Sequence, residues 1–127
     1  MKTMFILMSH EMTPVQRDDA VNSYGIDRFV ELSGEQWSQI PADIEDITPC
    51  LADLKQSILQ QSQEGDILLV QGDFGATVAM VNFAFEHGLV PVYATTARTA
   101  KETVDGEKIT TTRTFEHVRF RIYEKGC

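Results

Sequence analysis

The stretch "GDILLVQGDFGATVAMVNFAFEHGLVPVYATT", residues 65–96, decides the fold because it predicts a strand, a helix and a second strand in succession. Its first apolar run, "ILLV", shows no polar alternation, which is typical of a strand covered on both faces. Residues 76–88 predict a helix that ends at Gly88, and residues 89–96 predict the next strand. This alternation indicates a parallel sheet packed between helices.

The first half of the chain repeats the alternation. Residues 2–8 form an apolar run that predicts a central strand, and residues 27–32 predict a second, shorter strand. Between them, Thr13 caps a predicted helix over residues 14–24, with Gln16 completing a capping box and Gly25 ending the helix. A further helix is predicted over residues 48–63, with Thr48 as its cap, after a long loop or short helical turn over residues 33–47.

The last third of the chain predicts a β-hairpin at an edge of the sheet. Asp105 and Gly106 form a turn signal between two β-prone runs. Strict alternation in the second run separates two faces. The predicted core face carries Val118, Phe120 and Ile122, and the predicted solvated face carries Arg113, Phe115, His117, Arg119 and Arg121. Together these elements predict an α/β fold with a mostly parallel sheet, helices on both faces and a C-terminal hairpin.

Length and composition narrow the classes of protein. The 127 residues suit a single domain over residues 1–127, and 43% hydrophobic residues are typical of a globular chain. The opening "MKTMFILM" breaks too early for a signal peptide or a membrane span, which predicts a cytoplasmic protein without membrane association. The net charge of −8 argues against binding to duplex nucleic acid. Cys50 and Cys127 match no metal spacing, so we expect reduced thiols, no metal and no cofactor.

Small and polar residues follow three of the predicted strands at the point where each strand ends. In open parallel sheets, ligands bind outside the carboxyl ends of the strands. These segments are therefore expected to lie close together and to form a ligand site. The candidate residues are Ser9, His10, Gln71, Gly72, Asp73, Phe74, Gly75, Ala76, Thr95, Thr96 and Arg98.

The chemistry of this edge favours an anion or a nucleotide. A helix beginning near Gly75 would direct unpaired backbone N–H groups at the edge, a position worth about 0.3–1 kcal/mol to an anion. Arg98 offers a bidentate phosphate contact, and the hydroxyls of Thr95 and Thr96 offer further donors. Asp73 repels phosphate, which favours a role as a helix cap or as a partner of a ribose hydroxyl or a base edge.

Several of these residues also have ordinary structural interpretations. Phe74 suits either the core or stacking on a base, and His10 suits either a surface position or a functional one. Gln16 fits its capping box better than a ligand contact, and His117 fits a solvated strand face. The residues alone therefore indicate an anion or nucleotide site without fixing a reaction.

Four segments in this order, "LMSHEMTPVQ", "EGDILLVQGDFGAT", "VPVYATTAR" and "FEHVRFRIY", resemble small CRISPR-associated proteins of the Csx group. These are stand-alone Rossmann-like domains related to CARF sensor domains, and they act as ring nucleases. The resemblance covers nearly the whole chain. It implies a homodimer that binds cyclic oligoadenylate, with the four-adenylate ring as the expected form, across its two-fold axis.

The resemblance also implies the reaction and the site. A ribose 2′-OH would attack its own 3′-phosphate without a metal, giving linear products that end in a 2′,3′-cyclic phosphate. His10 would transfer a proton, Arg98 would hold the scissile phosphate beside Thr95 and Thr96, and residues 72–76 would form the adenylate-binding loop with polar contacts from Ser9 and Gln71. A module that senses or sequesters a cyclic nucleotide without cleaving it is the alternative, and an unrelated small α/β hydrolase or phosphatase is a third.

Overall fold

The computed structural model describes residues 1–125. Its elements follow the predicted order closely. They are β1 (Thr3–Leu7), α1 (Pro14–Tyr24), β2 (Arg28–Glu31), α2 (Glu35–Ser38), α3 (Thr48–Gln61), β3 (Ile67–Val70), α4 (Phe74–Glu86), β4 (Val90–Asp105) and β5 (Lys108–Ile122).

Over the described residues, the strands form one sheet in the order β2-β1-β3-β4-β5. Strands β1 to β4 run parallel to their neighbours, and β5 pairs antiparallel with β4. The connections leave β1 toward β2 on one side and continue toward β3 on the other, so the strand order reverses beside β1. The α/β fold with a mostly parallel sheet and a C-terminal hairpin is therefore confirmed.

Two hydrophobic cores cover the two faces of the sheet. On one face, Phe5, Leu7, Leu68 and Val70 pack against side chains of α2, α3 and α4, including the fully buried Trp37. On the other face, side chains of β1, β3 and β4 pack against α1 and Phe120. Because β1 and β3 alternate between these two cores, every residue of both strands is buried. This explains why their sequences are continuous apolar runs.

The helix starts differ in how they are capped. Helix α1 has the predicted capping box: Gln16 N donates to Thr13 Oγ1 at 3.2 Å, and Thr13 N donates to Gln16 Oε1 at 2.9 Å. The prediction of Thr48 as the cap of α3 is wrong, since Ile47 occupies that position without a side-chain bond. Asp46 instead accepts a hydrogen bond from Thr48 N, which places the polar partner two residues earlier.

The hairpin forms as predicted, but its first strand is a continuation of β4, which runs without a break to Asp105 where the sequence predicts a strand end at Thr96. The faces of its second strand also differ from the prediction. A bulge at Val118 makes Thr95 pair with Arg119 while Thr96 pairs with His117. One extra residue reverses the side-chain alternation beyond it. The predicted assignment of faces is therefore wrong for His117, whose side chain is only 5% exposed and lies on the side of Phe120, and for Val118, which is 58% exposed. Ile122 is also 50% exposed, although it lies on the same face as Phe120. Only Phe120 enters the core as expected.

Two further predictions concern the membrane and the cysteines. None of the helices in residues 1–125 is both long enough and apolar enough to cross a membrane. Cys50 is half-buried at the start of α3 and forms no disulfide within the described residues, whereas Cys127 lies outside them.

Candidate functional site

A cleft of about 770 Å³ opens at the carboxyl ends of β1 and β3, beside the point where β4 extends past its pairing with β3. The first turn of α1 lines it together with the start of the hairpin. Its position beside the reversal of strand order is the usual ligand-binding position in open α/β sheets. The lining residues are His10, Thr13, Val15, Gln16, Gln71, Ala94, Thr96, Phe115, Glu116 and His117.

The helix end that faces this cleft belongs to α1, not to α4. Thr13, Val15 and Gln16, the cap and first turn of α1, all line the cleft. No residue of α4 lines the cleft, so the helix beginning near Gly75, which was predicted to supply the anion-binding end, lies outside it. The N-terminus of α1 does face the cleft, and a helix N-terminus favours negative charge wherever it lies.

The buried side chain of His117 pairs with Asp19, whose side chain is half-buried. His117 Nε2 donates to Asp19 Oδ2 at 2.7 Å, and Ser23 Oγ donates to Asp19 Oδ1 at 2.6 Å. The imidazole also packs against Phe120, with ring centroids 4.8 Å apart. Both carboxylate oxygens of Asp19 thus accept a hydrogen bond. The His117 imidazole is held by the hydrogen bond from its Nε2 and by the packing of its ring against Phe120.

The other nitrogen of His117 is unpaired. Nδ1 is buried and has no hydrogen-bond partner among the described residues, although His117 lines the cleft. Buried polar atoms without a partner are rare, and a role in binding or catalysis is one of the explanations for them. Because Nε2 donates to a carboxylate, Nδ1 carries the lone pair in the neutral ring.

The environment keeps Asp19 ionised. Burial raises its pKa, but the hydrogen bonds from Ser23 and His117 and the nearby charge of Arg119 outweigh it, so the pKa falls below the usual value of 3.8. Asp19 therefore carries a negative charge at neutral pH and accepts the Nε2 proton of His117.

The cleft brings together three of the predicted site residues. His10, Gln71 and Thr96 come from three separate segments and line the same space. His10 is exposed, and its Nδ1 donates to the Glu11 carbonyl at 2.9 Å, which leaves Nε2 available. Gln71 Oε1 accepts from Ala94 N at 2.9 Å, which joins β3 to β4 beside the cleft.

The predicted adenylate loop, residues 72–76, does not line the cleft. Asp73 caps α4 by accepting from Ala76 N at 3.0 Å, as one of its two interpretations predicted. Ala76 is buried and Phe74 is 91% exposed. Neither of them lines the cleft. Gly72 packs against Trp37, whose Nε1 donates to the Gln71 carbonyl at 3.1 Å. The glycines therefore make room for a tryptophan and a helix start.

The remaining predicted residues lie at the margins of the cleft. Arg98 stacks on Phe115, 5.3 Å from the ring centroid, and lines a separate depression of about 290 Å³ along the hairpin. Phe115 lines both spaces. Thr95 Oγ1 donates to the Arg119 carbonyl at 2.9 Å and so holds the bulge. Ser9 lines a third, smaller depression that shares His10 with the cleft.

Sequence reasoning missed Asp19 and His117 as site residues. Asp19 looks like one more surface acid on α1, and His117 looks like part of a solvated strand face. Neither has a local motif, because they are 98 positions apart in the chain. The one indication in the sequence was a histidine within the arginine-rich second strand of the hairpin. Its burial depends on a bulge that could not be predicted from the sequence.

Comparison with known proteins identifies the family. The chain is 44% identical over 126 residues to "Uncharacterized protein MJ1673" of Methanocaldococcus jannaschii, an alignment that covers 97% of this chain and 98% of the relative. No solved structure matches it significantly. The family whose model matches residues 2–121 is described as "Uncharacterized protein MJ1673 family", and the chain belongs to that family.

Proposed function

We propose that this protein is a metal-independent nuclease that cleaves cyclic oligoadenylate, with the four-adenylate ring as the expected substrate. It acts in the cytoplasm as a homodimer and switches off the type III CRISPR signal that the ring carries. The observation that carries the proposal is one cleft at the carboxyl edge of the sheet that is lined by two histidines, His10 and His117. The resemblance of four segments to Csx-group ring nucleases supplies the substrate class.

The cleft suits part of such a ring. Sites for small molecules have volumes of about 300–1,000 Å³, and this cleft of about 770 Å³ falls within that range. Phe115 offers an aromatic surface for a base, and Gln71 and Thr96 offer polar groups for a base edge or a sugar. The N-terminus of α1 favours a phosphate. A second copy would hold the other half of the ring.

The reaction fits side chains that orient a nucleotide and move protons. The ribose 2′-OH attacks the adjacent 3′-phosphate in line with the leaving 5′-oxygen, and His10 is the proposed proton donor to that oxygen. Orientation contributes up to about 7–11 kcal/mol in favourable cases, and a general acid or base contributes about 10² to 10⁴ in rate. Arg98 is proposed to hold a phosphate at the neighbouring depression, which shares Phe115 with the cleft.

The test is incubation of the purified protein with labelled cyclic tetra-adenylate in EDTA. We expect linear adenylates that end in a 2′,3′-cyclic phosphate. A stable complex without cleavage would support the sensor alternative, and no binding would refute both. Cleavage that required added metal would refute the mechanism.

A pair of threonine variants tests whether the cleft is the site. Thr96→Val removes a hydroxyl that lines the cleft, and the loss of one hydrogen bond should weaken ring binding about two- to tenfold. Thr111→Val makes the same chemical change at an exposed position of the hairpin that does not line the cleft, so its affinity should equal that of the parent. Equal affinities of all three proteins would contradict the assignment.

A further inference from the structure

We infer that His117 is the general base of the proposed cleavage and that Asp19 positions it for that role. The inference rests on the proposed function, since it concerns the same cleft and the same reaction. It adds a catalytic residue and a positioning residue that sequence reasoning did not identify.

The burial of the His117 side chain and the missing hydrogen-bond partner of its Nδ1 are the first observations behind the inference. The His117 side chain is only 5% exposed. It nevertheless lines the cleft, and its Nδ1 has no hydrogen-bond partner within residues 1–125. A buried acceptor without a partner lowers the stability of the fold. The atom has no exposed surface in the free chain, so the inference includes a shift of the cleft wall that opens Nδ1 when the ring binds. A ribose 2′-OH would then complete the hydrogen bonding of Nδ1 as a donor.

The hydrogen bonds that Asp19 accepts from Ser23 and from the His117 imidazole are the second observation behind the inference. Ser23 and His117 occupy the two oxygens of Asp19, and both contacts are short, at 2.6 and 2.7 Å. The carboxylate accepts the Nε2 proton and thereby fixes the tautomer in which Nδ1 bears the lone pair. It also stabilises the imidazolium that forms when Nδ1 accepts a proton.

The proton balance of the step is simple. The 2′-OH proton moves to His117 Nδ1 as the bond between the 2′-oxygen and phosphorus forms. The bond between phosphorus and the 5′-oxygen breaks, and that oxygen takes a proton from protonated His10. The products are a 2′,3′-cyclic phosphate and a 5′-hydroxyl, with His117 protonated and His10 neutral until solvent resets both.

Glu116 is the competing base in the cleft. It also lines the space, but its residue is exposed, and no side-chain hydrogen bond within the described residues orients its carboxylate. Orientation therefore favours His117.

The deciding experiment compares single-turnover cleavage and ring affinity in three variants. His117→Gln keeps an amide that can donate to Asp19 but offers no basic nitrogen. We expect its rate to fall about 10² to 10⁴-fold while its affinity changes by less than about threefold. Asp19→Asn should lower the rate roughly tenfold or more with similar affinity. His87→Gln, at an exposed position on the far end of α4, is the matched control and should keep the parental rate.

A second readout needs no substrate. The chain has three histidines, so ¹⁵N spectra of the imidazoles can be assigned with His10→Ala and His87→Ala. We expect His117 to carry its proton on Nε2 in the free parent and to lose this preference in Asp19→Asn. Circular dichroism of each variant verifies that it is folded.

The outcomes separate the two claims. A parent that cleaves the ring together with a folded His117→Gln that cleaves at the same rate would overturn this inference and leave the proposed function standing. A proton on Nδ1 of His117 in the free parent would also overturn it. A parent that neither binds nor cleaves the ring would overturn the proposed function, and the inference with it.

Discussion

At the scale of single residues, Gly72 shows how a small residue next to a ligand site serves the core. A Cβ atom at this position would lie 2.8 Å from Trp37 Nε1 and 3.0 Å from two carbons of the indole. Trp37 is fully buried and donates to the Gln71 carbonyl. The indole therefore fixes the backbone that carries the Gln71 side chain into the cleft. Glycine is required at position 72 by close packing.

We expect Gly72→Ala to destabilise the protein by about 1–3 kcal/mol, because the buried indole must shift to accommodate the methyl group. Urea denaturation measures the free energy of unfolding. Gly75→Ala is the matched control: its Cβ would meet Ile47 Cδ1 at an ordinary 3.5 Å, inside the first turn of α4, where alanine favours the helix. Equal stability of the two variants would contradict this interpretation of Gly72.

Some residues of the cleft could be predicted from the sequence and others could not. His10 and Gln71 were predictable because they come shortly after β1 and β3, and Thr96 because it comes shortly after the part of β4 that pairs with β3. The topology of a parallel sheet brings such positions together. His117 was not predictable in this way. Its burial depends on one bulged residue, Val118, and a shift of one residue reverses which face a strand presents.

At the scale of elements, the two helices with side-chain caps have different roles. Both Thr13 and Asp73 accept a hydrogen bond from a backbone N–H of the first turn. Both helix starts were predictable from sequence because capping chemistry is local. The first turn of α1 lines the cleft, however, and α4 does not reach it. That difference depends on how the helices pack on opposite faces of the sheet.

Two cap variants test this difference. Thr13→Ala and Asp73→Ala should each lower the free energy of unfolding by about 0.5–2 kcal/mol. Only Thr13→Ala should also weaken ring binding, by about two- to fivefold, which corresponds to the 0.3–1 kcal/mol that a helix N-terminus contributes to an anion. Titration calorimetry measures the affinity. Weaker binding by Asp73→Ala alone would instead favour the loop over residues 72–76 as the ligand site.

At the scale of the whole molecule, the sheet was predictable and the cleft was not. Buried apolar runs and capped helices occur in an order that specifies a parallel α/β sheet, so the fold follows from local patterns. The cleft forms where the hairpin turns back over α1, and the contact between Asp19 and His117 joins these elements across the chain. A contact of that range depends on the twist and length of the hairpin, which local patterns leave open.

The hairpin extends far beyond the sheet. We refer to residues 96–116 as the arm: all of them are exposed, and β4 pairs with β3 only over Val90–Val92. Two-stranded ribbons without a packing partner are marginally stable in water. The arm nevertheless carries exposed apolar side chains at Val104, Ile109 and Phe115. These features fit the proposed homodimer, in which a second copy would cover the arm.

The proposed homodimer can be tested by shortening the arm. We replace residues 99–114 with Asn-Gly, which joins the paired residues Arg98 and Phe115 through a two-residue turn. Only exposed residues are removed, so we expect the shortened chain to fold and to keep the cleft, with a circular dichroism spectrum that loses only part of its β-strand signal. Light scattering should give the mass of a dimer for the parent and of a monomer for the shortened chain. Val104→Thr should remain dimeric, because one exposed side chain contributes little of the area that a stable interface buries, typically about 800 Å² from each partner. A parent that is monomeric at micromolar concentration, or a shortened chain that stays dimeric, would show that the arm has another role.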